Sequence, residues 1–345
     1  MKKNRTIILY FKILWLLGLL NSLSCCTRVH QYQIISHNAL CGKTDLMHFT
    51  SVDTGYIITH IGDLYDSVHS TYVYQTINGG TCWQIVDSIP NFSFSKYSHT
   101  IYKNIVYGYM SNGTQSMDGY WNSYVCMIDL ENHRHKVRDE AFYGPGDVFY
   151  YNGFIFFPAS EEKTRYIFRF DGDLNNIFYE NDPFPENIKD ISYNDSVLAF
   201  ITYDKKVCYL QDCQMSENHI DLSCNGILLS GDDCYISYFG DREHNGGIIL
   251  HNCLTDCYKT LDFPSGYRVV ELLKATSDSI IITVTQKNSR GFNDNIVYST
   301  DKGLTWKKIT LQDPIIFPEY NSCFYTPYLY IKSSFSNEIY KLNIK

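Results

Sequence analysis

Ser299-Thr-Asp-Lys-Gly303-Leu-Thr305-Trp306 decides the reading of this 345-residue chain. In a β-hairpin, Thr300 and Asp301 stand where short polar side chains bond turn amides, Gly303 supplies the positive φ of the reversal, and Trp306 folds back as an apolar plug. A weaker copy, Thr76-Ile-Asn78-Gly-Gly80-Thr-Cys-Trp83, keeps a hydroxyl residue, an Asx residue, a glycine and a tryptophan in register. Asn78-Gly79 is itself a strong hairpin dipeptide. Two copies imply a repeat.

Both segments resemble the Asp-box, or BNR repeat, S/T-x-D-x-G-x-T-W. That repeat marks sialidase-type β-propellers and propellers of the photosystem II assembly-factor group. Met47-His-Phe-Thr-Ser-Val-Asp53-Thr-Gly55-Tyr precedes the first copy in the manner of the assembly-factor group. The resemblance implies a box between the third and fourth strands of a blade, on the face away from any ligand site. Thr76, Asn78, Gly80 and Trp83, and Ser299, Asp301, Gly303, Thr305 and Trp306, are therefore expected to be scaffold.

Composition agrees with an all-β chain. Tyr contributes 30 residues and Phe 20, both suited to a pleated, half-buried surface, and helical periodicity is absent after the first thirty residues. Strand-like runs recur at about forty residues, the period of four-stranded blades. Seven blades are expected, at about 46–89, 97–138, 142–180, 187–220, 223–262, 267–311 and 315–345, with six or eight as the alternatives. The last has three strands, and Tyr32-Gln-Ile-Ile can supply the fourth, closing a ring through both chain ends.

Residues 1–25 read as a secretory signal: Lys2, Lys3 and Arg5 precede a short apolar run ending in Ser-Cys25-Cys26. That end resembles a bacterial lipobox, with Cys25 or Cys26 acylated. The expectation is one propeller domain over 26–345, exported and lipid-anchored at the outer membrane of the cell envelope. Removing Lys2, Lys3, Arg5 and Lys12 lowers 29 basic residues to 25 against 37 acidic, a balance of −12. An acidic domain excludes nucleic acid as partner, and the one basic run, 133–138, reads as a solvated turn. Cys208 with Cys213 and Cys253 with Cys257 each flank a short turn and can staple a hairpin. Free thiols and a four-cysteine zinc site are the alternatives.

Loops of a meander alternate between ends, so those after each second strand lie opposite the boxes. They supply the candidate binding face: His60, Asp63, His69, Tyr120, Trp121, Arg165, Asp241, Arg242, His244 and Arg290. The expected role is binding or assembly with a protein or glycan partner. The alternative, a sialidase-like glycoside hydrolase, would need arginines such as Arg165, Arg242, Arg268 and Arg290 to converge; no Arg-Ile-Pro motif is present, and no catalytic residue is assigned. Asp171-Gly-Asp173-Leu-Asn175 lacks the rest of a calcium loop and reads as a hairpin turn. No metal and no cofactor is called for by any motif.

Overall fold

Short β-branched and aromatic runs become strands, the inner ones buried on both faces and others with buried and less buried residues interleaved. In a computed structural model, Ser70–Thr76 buries Thr71, Val73, Tyr74 and Thr76, while its neighbour Gly55–Ile61 is buried through its first five positions. The structure describes residues 32–344 except 37–39, 63–68, 116–120, 143, 162–163, 176–177, 180–187, 195, 212–213, 221, 240–245, 254, 264–266, 277–278, 289–290, 310–321 and 333–337. The leader, with Cys25 and Cys26, lies outside the described residues.

Seven four-stranded antiparallel sheets follow one another along the chain. Sheet one consists of Lys43–Phe49, Gly55–Ile61, Ser70–Thr76 and Gln84–Pro90, in that order. Sheets two to six repeat this meander over 93–142, 149–179, 188–219, 224–261 and 267–309. Sheet seven is built from Ser322–Tyr325, Tyr328–Lys332 and Glu338–Asn343, and its fourth strand is Tyr32–Ser36, laid beside Glu338–Asn343. The two ends of the folded chain thus share one sheet, which removes an open edge.

Successive sheets pack face to face. Leu46 and Val73 of sheet one meet Val106 and Ile128 of sheet two, and Tyr109 and Val125 meet Ile155 and Phe157 of sheet three. Similar clusters join three to four, four to five and five to six. Ile57 and Tyr74 of sheet one pack on Tyr330 and Ile339 of sheet seven, where Phe49 stacks on Tyr330 at 3.7 Å. The Lys274 ammonium of sheet six bears on both Cys323 of sheet seven and His48 of sheet one. Buried aromatics carry much of this cohesion, at about 1.5–3 kcal/mol for each fully buried large side chain.

The box turns are braced by their own side chains. Ser299 Oγ accepts the amide of Gly303 at 2.8 Å and donates to Asp301 at 2.7 Å, while Asp301 Oδ1 accepts the Thr305 amide at 2.8 Å. Ser299 thus has the role that the sequence assigns to Thr300, because the hydroxyl two residues before Asp301 points into the turn. In the first copy Thr76 Oγ1 accepts the Gly80 amide at 3.0 Å and Asn78 Oδ1 the Cys82 amide at 2.9 Å. Gly303 and Gly80 have φ of 83° and 93°. Trp306 donates its indole N–H to the Asp262 carbonyl of the preceding sheet at 2.8 Å and meets Phe263 edge-on, so the plug is also a tie between sheets.

Two expectations are corrected. Cys208, Cys253 and Cys257 are free thiols, and Cys213 lies outside the described residues. Cys208 points into the core opposite Glu217, and Cys253 lies one residue beyond the Asn252↔Cys257 pair that closes its hairpin, so spacing along the chain did not give facing side chains. The basic run is not a solvated turn: Arg134–Phe142 is the outer strand of sheet two. Arg134 pairs with Asp129, His135 reaches Asp87 of sheet one, and Lys136 and Arg138 reach carbonyls of Asp173 and Leu174 in sheet three. These charges strap three sheets together.

Candidate functional site

The direction of each meander assigns the loops to two ends. The Thr76–Trp83 and Ser299–Trp306 turns lie at one, the box end. Loops following second and fourth strands lie at the other, the loop end, together with the beginnings of the innermost strands.

At the loop end of sheet one, His60 closes Gly55–Ile61 and its Nδ1 faces both oxygens of Asp45, at 2.7 and 2.9 Å. Asp45 sits in a bulge between Thr44 and Leu46, which turns its carboxylate off the regular alternation and beneath His60. The carboxylate is fully buried, and burial raises its pKa above the ordinary value against the opposing pull of the His60 hydrogen bond. Sequence reasoning missed Asp45; its only signal was one acid in the run Lys-Thr-Asp-Leu-Met.

His69 is buried, and its Nδ1 has no hydrogen-bond partner among the described residues, while its carbonyl accepts the Asn91 amide. Trp121 is half-buried at the start of Trp121–Asp129, in sheet two. Arg165 stands opposite Ser160 in the backbone ladder of sheet three. Asp63, Tyr120, Asp241, Arg242, His244 and Arg290 lie outside the described residues, as does the arginine convergence a hydrolase would need. Of the candidate face, the described side chains are therefore His60, His69 and Trp121, on two neighbouring sheets.

Further buried polar groups lie on innermost strands, and no motif marks them. Ser93 Oγ, in sheet two, is buried without a partner among the described residues. His99, farther along the same strand, also leaves Nδ1 unpartnered, and burial pushes this imidazole down to about 4. In sheet four, Asp190 accepts the amides of Ile227 at 2.7 Å and Ile191 at 2.9 Å, and Ser192 accepts the Leu229 amide at 2.8 Å. Two side chains of one inner strand thus bond the backbone of the next sheet. Burial pushes Asp190 up to about 7, with the Asp147 charge adding to it and the two amides and Lys189 opposing.

Between sheets four and five the surface opens twice. A cleft of about 380 Å3 is lined by Asn218, His219, Ile220, Leu222, Ile249, Tyr258 and Thr260. A second, of about 360 Å3, lies at the box end beside Asn194, Gln211, Asp232 and Cys253. Near them a polar chain runs from the core to the surface: buried His251 has Nδ1 facing the Tyr209 hydroxyl at 2.5 Å and Nε2 facing the exposed Asp256 at 2.9 Å. Burial holds the Tyr209 phenol far above its ordinary value, so it stays a hydroxyl. Among the described residues no group of three or more metal-ligating side chains is gathered.

No family model matches the chain, and no curated protein matches it. Among solved structures, one described as YCF48 bound to D1 peptide superposes with a TM-score of 0.59 at 11% identity, covering 92% of this chain and 97% of that one. YCF48 from Cyanidioschyzon merolae gives 0.57 at 11%, over 90% and 98%. A chain of a mitotic checkpoint complex gives 0.58 at 10%, over 92% and 96%. The fold is a β-propeller. At these identities the likeness is one of architecture, and the chemistry of the site rests on this propeller's own residues.

Proposed function

We propose that the chain is an exported, lipid-anchored, seven-bladed β-propeller that binds a protein partner across its loop end. The observation that carries this reading is the contrast between the ends. At the box end, the Thr, Ser, Asn and Asp side chains of the turns are closed on their own backbone, and of the turn residues only the apolar plug Trp83 leaves a buried N–H without a partner among the described residues. At the loop end, His69 Nδ1 and Ser93 Oγ are buried without partners among the described residues, and Asp45 and Asp190 are carboxylates held in low-dielectric surroundings. A rigid scaffold that concentrates such groups at one end has the form of a binding platform. A propeller of similar architecture bound to a peptide supports a protein partner over a glycan.

A photo-crosslinking residue placed at Lys43 or Trp121, both at the loop end, should capture a discrete protein in the producing cell. The same residue at Lys302, in the box turn, should not. Capture from Lys302 alone, or from none of the three, would overturn the assignment. Anchoring is tested separately by labelling with a radioactive fatty acid: one of Cys25→Ser and Cys26→Ser should abolish incorporation, and label retained in the double variant removes the anchor.

A further inference from the structure

Three segments at the loop end of sheets four and five carry large apolar side chains into solvent. Tyr203, in the turn after Val197–Thr202, is 71% exposed; Leu222, in the link to sheet five, is 38% exposed; Phe239, just past Asp233–Tyr238, is 42% exposed. They are neighbours in space because their backbones are tied. The Ile220 amide donates to the Lys205 carbonyl at 3.0 Å, the Phe239 amide donates to the Ser223 carbonyl at 3.0 Å, and Lys189 Nζ donates to the Cys224 carbonyl at 2.6 Å while lying 5.9 Å from the Phe239 ring. Exposed apolar residues occur at the box end as well, Leu304 on sheet six and Val52, Ile77 and Ile85 on sheet one, without a cleft beside them among those described. Scattered apolar residues are ordinary on a protein surface, whereas adjoining ones on three linked segments mark a contact surface.

The patch continues into the cleft of about 380 Å3, which begins at Leu222 and passes Ile220, Ile249 and His219 to Tyr258. That volume is at the lower end of the range for specific ligand pockets and suits one or two side chains of a bound segment. Among the described residues its edge carries Lys189, Lys205 and Lys206 beside Asp190, Asp204 and Glu217. Asp204 and Glu217 are taken up by Lys206, at 3.8 and 3.0 Å, and Asp190 turns inward onto the Ile227 and Ile191 amides. Lys189 and Lys205 make no close ion pair among the described residues, Lys189 acting on the neighbouring Asp190 only at longer range. On a chain whose formal net charge is −8, these two ammonium groups are available to an acidic ligand.

We propose that this surface docks an extended segment of a protein partner that combines an apolar or aromatic anchor with a neighbouring carboxylate. The anchor enters the cleft beside Leu222 and lies against Tyr203 and Phe239, and the carboxylate meets Lys205 and Lys189. Apolar anchors supply most of the affinity at such interfaces, while rim charges set partner choice and salt dependence. The inference rests on the propeller being a protein-binding module, and it adds where and with what chemistry.

The test is selection of a random dodecapeptide display library on the whole protein, with affinities of the enriched peptides then measured by fluorescence anisotropy. Enriched sequences should pair Leu, Phe, Tyr or Trp with Asp or Glu. Tyr203→Ser and Phe239→Ser should each weaken them by about tenfold, on the scale of a single interface anchor. Lys205→Glu should weaken them several-fold and flatten their salt dependence, and Ile77→Ser, with thermal melts as a folding check, should leave them unchanged. Enriched peptides that are basic, or that bind all loop-end variants equally, overturn the proposal. Hydrogen exchange separates the two levels of failure: protection confined to 43–45 or 91–94 removes this patch and keeps the binding module, whereas protection of the box turns, or no enrichment, removes both. Attachment of phosphatidylglycerol vesicles at the patch in place of peptides also overturns it.

Discussion

At the box end a carboxylate such as Asp301 is answered within four residues of itself; at the loop end Asp190 is answered by the backbone of another sheet. Asp301 is held down at about 2 chiefly by the Thr305 hydroxyl and amide and by Ser299, and Asp190 is pushed up to about 7 by burial. A locally closed group fixes a turn and contributes nothing further. A group that needs another sheet to satisfy it makes the loop end depend on the assembled ring.

Two glycines with almost the same backbone angle give the largest expected contrast. Gly42 at the loop end has φ of 88°, and a Cβ there would stand 2.2 Å from the His60 carbonyl oxygen. Gly153 at the box end has φ of 86° with nothing within 4 Å of the added Cβ. Gly153→Ala should cost about 1 kcal/mol, the conformational strain alone, and Gly42→Ala about 3 kcal/mol or more because the Asp45–His60 ladder must also shift. Urea unfolding of the two variants decides the matter, and equal losses would show that the loop end is no more tightly specified than the box end.

The two aspartates come next, and they should tilt stability in opposite directions with pH. Asp190 has a folded pKa of about 7, above the roughly 3.9 of an unfolded carboxyl, so its contribution is complete below pH of about 4 and is lost as pH rises through 7. The loss is of order 2–4 kcal/mol at 1.36 kcal/mol per pH unit. Asp190→Asn should therefore gain on the wild type steadily between pH 4 and 8. Asp301, folded pKa about 2, contributes above the unfolded value and loses that contribution as pH falls toward 2. Asp301→Asn should be destabilised at neutral pH and converge with the wild type in acid. Melting temperatures across pH 2–8 that run parallel for both variants would erase the distinction between the ends.

This difference also explains what could be read beforehand. The box turns, the sheet spacing and the use of Tyr32–Ser36 to complete the last sheet were legible because each depends on contacts near in sequence or on the simple need to close an edge. The turn after sheet three's third strand was legible too: Asp171 Oδ1 accepts the Asp173 and Asn175 amides, and Lys136 donates to Asn175 Oδ1. Asp45, Asp190 and the Tyr209–His251–Asp256 polar chain were not legible, since nothing near them in sequence announces a partner 15, 37 or 42 residues away. The paired-cysteine reading failed for the same reason: a five-residue spacing says little about which way two side chains face across a ladder.

Trp306 offers a finer probe, because its box turn is closed locally while its indole N–H crosses to Asp262 in sheet five. Trp306→Phe keeps a ring against Phe263 and removes that one hydrogen bond, so the expected loss is about 1 kcal/mol. The turn itself should survive: hydrogen exchange at the Gly303 and Thr305 amides, which donate to Ser299 and Asp301, should slow as in the wild type. Rapid exchange there would mean that the box turn also relies on its neighbour.

The smallest effect belongs to the strap of basic residues on sheet two. Lys136 Nζ donates to the Asp173 carbonyl at 2.7 Å and to Asn175 Oδ1 at 2.6 Å, both on sheet three and both reached through solvent-accessible surface. Exposed charged contacts of this kind contribute about 0.5–1 kcal/mol and are weakened by salt. Lys136→Met retains the aliphatic stem over the strand and removes the ammonium, so it should cost no more than about 1 kcal/mol, with the difference from wild type falling by about half as sodium chloride is raised from 50 mM to 1 M. A loss independent of salt would place the strap with the buried cross-sheet groups of the loop end, and the division between locally closed and mutually dependent polar groups would then run through the sheets rather than between the two ends.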